Sequence, residues 1–145
     1  MKSFLAAGDM AYSLTFDRLI GYDNGRSGIE VDVELRLSDA QVGFKAKIDT
    51  GASFCIFSRE YGERLGIKIE DGFLKSFLTP TGSFQAYGHW VTLVVDILEF
   101  DSQVFFSREE GFFPNVLGRQ GWLDRIQLAI VDHKGSLFVS GVDDA

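Results

Sequence analysis

Residues 29–53 read Ile29-Glu30-Val31-Asp32-Val33-Glu34-Leu35-Arg36-Leu37, then Ser38-Asp39-Ala40-Gln41, then Val42-Gly43-Phe44-Lys45-Ala46-Lys47-Ile48, then Asp49-Thr50-Gly51-Ala52-Ser53. In the first run every second residue is apolar and its neighbours are charged. That is the period of a half-buried β-strand. The third run alternates too, with Val42, Phe44, Ala46 and Ile48 on one face. The short polar link between them predicts a hairpin. The second strand therefore delivers an acid, Asp49, to its own end, where Thr50 and Gly51 turn the chain.

The same period recurs along the chain. Residues 12–20 read as an upstream strand, followed by a turn at Asp23-Asn24-Gly25. Residues 74–78 and 84–97 read as strands on either side of Thr79-Pro80-Thr81-Gly82-Ser83. Residues 104–106 read as a short strand. Residues 128–131 and 137–139 flank a Lys134-Gly135 turn. Helix signals are few. Ser58 can cap a helix over 58–65 that Gly66 stops, and 122–125 fit a brief second one. No repeat or linker interrupts the pattern. The expectation is one all-β domain over 1–145, with its core at about 29–139 and residues 1–28 as an N-terminal strand and turn.

Composition narrows the function. The chain has 145 residues and a formal net charge of −7. An acidic protein repels nucleic-acid phosphates and anionic lipid, so neither is expected as a partner. No apolar run approaches the ~20 residues that span a bilayer, and the apolar patch at 1–7 is too short for a signal-peptide core. A cytoplasmic location is expected. One Cys and two His make a disulfide framework impossible and a zinc site unconvincing, so no metal or cofactor is expected.

The chemistry concentrates at Asp49-Thr50-Gly51-Ala52-Ser53. An acid on a loop held by a sheet is well placed for catalysis. The Thr50 hydroxyl can bond across a symmetry axis, and Gly51 lets another backbone come close. The same triplet is also what an ordinary turn at a strand end looks like. The remaining candidates have plainer readings. Cys55 reads as a small buried hydrophobe, His89 as a strand residue facing solvent or packed on Tyr87, and His133 as a turn residue. Trp90 and Trp122 read as core or interface anchors.

Three ordered matches lift the triplet above a turn. The segment resembles the retropepsin-like aspartic protease family, in which an apolar residue precedes Asp-Thr-Gly-Ala-Ser, followed by a strand and a helix ending near Leu-Gly. Ile48 to Ser53, Cys55-Ile56-Phe57 and Leu65-Gly66-Ile67 match in that order. Val116-Leu117-Gly118-Arg119 matches the family's second motif of two apolar residues, Gly and often Arg, and Gln120-Gly121-Trp122-Leu123-Asp124-Arg125 is similar to the short helix of bacterial members. Leu78-Thr79-Pro80-Thr81-Gly82-Ser83-Phe84 occupies the place of the flap, the hairpin that closes over substrate.

The resemblance implies a closed or orthogonal β-barrel-like acid-protease half domain with one or two short helices. It implies catalysis by Asp49, Thr50 and Gly51. Substrate would be bound by Ala52, Ser53 and the Thr79, Pro80, Thr81, Gly82, Ser83, Phe84 stretch, and support would come from Val116, Leu117, Gly118 and Arg119. Two-domain relatives carry two Asp-Thr-Gly triplets and this chain carries one, so the implied enzyme is a homodimer acting on a peptide or protein. Two features depart from the retroviral pattern. Ser53 stands where those members have an acid that pairs with the later Arg, so Arg119 must pair elsewhere. The flap tip holds Pro80 and only Gly82 in place of several glycines. A non-catalytic peptide-binding or dimerisation module on the same fold is the alternative.

Overall fold

The computed structural model describes residues 10–111 and 114–142. The apolar patch at 1–7 lies outside the described residues. Ten strands form, β1 Arg18–Gly21, β2 Glu30–Leu37, β3 Ala40–Ile48, β4 Ile56–Phe57, β5 Phe73–Thr79, β6 Gly82–Val95, β7 Leu98–Ser107, β8 Val116–Leu117, β9 Ile126–Val131 and β10 Ser136–Gly141. One α-helix, α1 Arg59–Arg64, and three single-turn 3₁₀ segments complete the elements.

The predicted hairpin forms with Val33 opposite Phe44 and Leu35 opposite Val42. Val31, Val33, Leu35, Val42 and Ala46 are all buried, so the alternation in the sequence is the alternation between core and solvent. β2 pairs with β3 on one side and with β6 on the other. The sheet order β2-β3-β8-β4-β7-β6 therefore returns to β2 and closes into a barrel. Closure leaves those strands no free edge. The fold is thus all-β and closed, as expected. β5 extends beyond the barrel as the outer arm of a hairpin with β6, and β1, β10 and β9 form a separate small sheet.

The main core runs from Val33, Leu35 and Leu93 through Phe57, Val104 and Phe106 to Leu117, Trp122 and Leu137. Side chains of this size withdraw on the order of 1.5–3 kcal/mol each of apolar surface from water. A second, smaller cluster of Ile56, Ala86 and Phe105 gathers Phe54, Phe77, Phe84 and Val116 around it. It sits beneath the β5–β6 hairpin, away from the main core.

Several boundaries differ from the sequence expectation. The upstream strand covers only Arg18–Gly21, and residues 12–17 are not strand. Met10, Tyr12 and Leu14 alternate but are exposed, and among the described residues no strand pairs with them. The expected short strand at 104–106 is the end of the ten-residue β7. Ile97, read as strand, lies in the turn between β6 and β7 and is exposed. The helix starts at Arg59, and the Ser58 side chain makes no capping bond to its first turn. Instead the Asn115 side chain accepts a bond from the Ser58 backbone N–H at 2.9 Å. Gly66 ends the helix at φ 84°.

Candidate active site

β3 carries Asp49 off its end into a tight loop. The Ala52 N–H donates to the Asp49 carbonyl at 3.1 Å, and the Gly51 N–H donates to the Asp49 carboxylate at 2.9 Å. Asp49, Thr50 and Gly51 are exposed. The carboxylate is thus held by its own loop while one oxygen stays open to solvent.

β8 is the strut that fixes this loop. It lies parallel to β3, with Lys47 opposite Val116 and Ile48 opposite Leu117, and touches β4 at Val116–Ile56. The Asp49 N–H donates to Leu117 O, the Arg119 N–H to Ala52 O and the Gln120 N–H to Ser53 O, each at 2.9 Å. Gly118 sits where these two chains nearly touch. A Cβ there would lie 2.2 Å from Phe54 O and 2.8 Å from Ala52 O. Only glycine permits the approach. Val116, Leu117 and Gly118, singled out in the sequence as support, therefore meet the Asp49 loop through backbone. Arg119 is exposed, and among the described residues none of the ion pairs includes it. The pairing expected elsewhere is not found within the described part of the chain.

A groove of about 780 Å³ runs between this loop and the β5–β6 hairpin. Asp49, Gly51, Ala52 and Ser53 line one side, and Thr79, Pro80 and Phe84 line the other. Thr50, Thr81, Gly82 and Ser83 do not line it. The hairpin turns tightly at Pro80-Thr81, with Thr79 opposite Gly82 and Phe77 opposite Phe84. Gly82 takes φ 151°, where a side chain would be strained.

Sequence reasoning missed the groove's aromatic wall and its cation. Phe54, Ile56, Lys75, Phe77 and Val116 all line it. Phe77 stacks on Phe84 at 5.2 Å and packs edge-on against Phe54 at 5.9 Å and Phe105 at 5.4 Å. The signal was present in the register. Centring the turn on Pro80-Thr81 brings Phe77 and Phe84 opposite each other on one face.

The other reactive residues stand apart. Cys55 is fully buried, and burial pushes its thiol up to about 12, so it is a poor nucleophile. His89 is half-buried; its Nε2 donates to Ile69 O at 2.8 Å and its ring lies against Phe106. Trp122 is buried in the core, whereas Trp90 is 66% exposed on the barrel's outer face. Among the described residues, no three His, Cys, Asp or Glu side chains gather as metal ligands, and no helix is long and apolar enough to cross a membrane.

No family model and no curated protein sequence matches the chain. Solved structures do. A retropepsin-like aspartic protease from Rickettsia conorii superposes with a TM-score of 0.61 at 20% identity, over 85% of this chain and 97% of that one. The EIAV protease complexed with the inhibitor HBY-793 gives a TM-score of 0.49 at 15% identity, over 62% of this chain and 80% of that one. The chain has the retropepsin-like fold.

Proposed function

We propose that the chain is an aspartic endopeptidase, active as a homodimer, in which the Asp49 carboxylates of two copies activate one water. One observation carries this reading. The groove beneath the hairpin is lined by a single carboxylate, Asp49, held open to solvent at the mouth of a braced loop. Water attack on a peptide bond needs a base for the water and an acid for the carbonyl. One carboxyl cannot be both at once, so a second must come from another copy on a two-fold axis.

Two carboxylates brought close cannot both ionise easily, and they share one proton. The ionised member takes a proton from the water, whose oxygen bonds to the peptide carbon. The protonated member gives its proton to the carbonyl oxygen. Collapse of this tetrahedral intermediate breaks the C–N bond as the amine gains a proton, and the pair returns to its shared-proton state. The Thr50 hydroxyl, exposed and outside the groove lining, is free to bond across the axis. The β5–β6 hairpin covers the bound peptide and excludes water.

The test is Asp49→Asn. The amide is nearly isosteric but cannot share the proton, so peptide cleavage is lost while the melting temperature stays within about 2 °C. Undiminished cleavage by the variant overturns the assignment. Activity peaks on the acid side of neutrality, because only the singly protonated pair works. A rate that keeps rising above neutral pH contradicts a carboxylate pair.

A further inference from the structure

The groove has two charged residues in its lining, Asp49 and Lys75. Lys75 is half-buried on β5, with its Nζ 5.1 Å from the centre of the Phe54 ring. Among the described residues none of the ion pairs includes it. Other cations of the chain are paired on its surface. Lys45 holds Asp32 at 2.8 Å and Arg59 holds Glu70 at 2.6 Å. In a chain with 21 acidic residues and 14 basic ones, an ammonium in the groove lining beside a ring, with no carboxylate of its own, is a ready partner for an incoming one.

We propose that Lys75 makes the groove select peptides that carry an acidic side chain close to a large apolar one. The inference rests on the proteolytic reading above and names its substrate class. Phe77, two residues along β5, shares Lys75's face of the strand, and Phe54 touches both. The cation therefore stands at the edge of the Phe54–Phe77–Phe84 wall. An extended peptide presents neighbouring side chains to opposite sides and residues two apart to the same side. An apolar side chain seated on the aromatic wall thus brings the carboxylate of a residue within about two positions to Lys75.

The charges also set the polarity of the choice. Asp49 repels an acidic side chain at the reacting centre, whereas Lys75 attracts one beside the Phe54 ring. The chain's net charge of −7 opposes acidic peptides at long range. The preference must then come from short-range contact, and it weakens in high salt.

The experiment compares peptides of one apolar sequence carrying Glu, Gln or Lys at each position in turn. With the full-length dimer, kcat/KM for Glu exceeds that for Lys by about tenfold at one position. Lys75→Glu reverses the order and Lys75→Met flattens it. In parallel, anisotropy with the same labelled peptides gives Kd for Asp49→Asn, which reads the groove without turnover. Equal cleavage of all three peptides at every position overturns the selectivity and leaves the proteolytic reading intact. No cleavage of any peptide, with Glu bound tightest and the order reversed in the Asp49→Asn, Lys75→Glu double variant, removes the proteolytic reading and keeps the selectivity. No discrimination in either assay, or a Glu preference that survives Lys75→Glu, overturns it.

Discussion

Gly118→Ala adds one methyl group at the closest approach in the site. Its carbon would lie 2.2 Å from Phe54 O, 2.6 Å from Phe54 C and 2.8 Å from Ala52 O. All three are backbone atoms, so no side chain can swing aside, and relief requires moving β8 away from the loop. That motion strains the bonds from Asp49 N–H to Leu117 O and from Arg119 N–H to Ala52 O, each 2.9 Å. Overpacking a closed site costs about 1–3 kcal/mol, and rigid backbone on one side puts this case at about 3 kcal/mol or more. For a chain of this length that lowers the melting temperature by roughly 6–12 °C. Gly43→Ala is the control, since its nearest neighbour, Val33 O, would lie 3.8 Å from the new methyl. In an exposed strand position it is neutral or stabilising by about 0.5 kcal/mol. The assay is thermal unfolding of both variants beside wild type, with peptide cleavage at a temperature where each is folded. A Gly118→Ala melt within about 2 °C of wild type shows that the approach yields easily. The claim that β8 braces the Asp49 loop then fails.

Phe77→Ala removes the ring that ties the hairpin to the groove wall. We expect faster amide exchange across β5 and the start of β6, unchanged protection in β2 and β3, and a raised KM; unaltered exchange in the hairpin contradicts the anchoring role. Ser38, at φ 53°, sits in a left-handed turn between β2 and β3. Ser38→Gly therefore stabilises the fold by about 0.5 kcal/mol after the glycine entropy cost is subtracted, read as a shift in the urea midpoint. Glu70 is held below the usual carboxylate range chiefly by its hydrogen bonds from Arg59, and Asp96 likewise by Arg18. Both contributions are complete above the unfolded-state carboxylate values of roughly 4, and are lost as pH falls through the lower folded values. Stability therefore drops in acid, and Glu70→Gln together with Asp96→Asn flattens that drop; an unchanged acid limb refutes the linkage.

The legible parts of the fold were those with one wet face. β2 and β3 bury Val31, Val33, Leu35, Val42 and Ala46 against water-facing Asp32 and Lys45, and the period shows. Only residues 104–106 of β7 were read as strand, a run buried on both faces between the main core and the cluster under the hairpin. Its first half, Leu98 to Gln103, was missed because polar Ser102 stands at a buried position. Residues 10–17 misled in the opposite sense. Met10, Tyr12 and Leu14 alternate without a partner strand among the described residues, so pattern alone overstated β1. At the site, Asp49 and its β8 strut were readable because Gly118 and the Asp-Thr-Gly turn are demanded by backbone geometry. Lys75 and Phe77 were not, because their role comes from the register of β5 on β6 and from the approach of Phe54, which lies far away in sequence.

The central claim is that each chain supplies half of one active site. Mixing wild type with Asp49→Asn at fixed wild-type concentration, under conditions where both dimerise, tests it directly. If both carboxylates are required, mixed dimers are dead, and about fivefold excess variant lowers cleavage to about one sixth of its starting value by random pairing. Cleavage that stays constant as the variant is added means that a single chain carries the whole site, and contradicts the account.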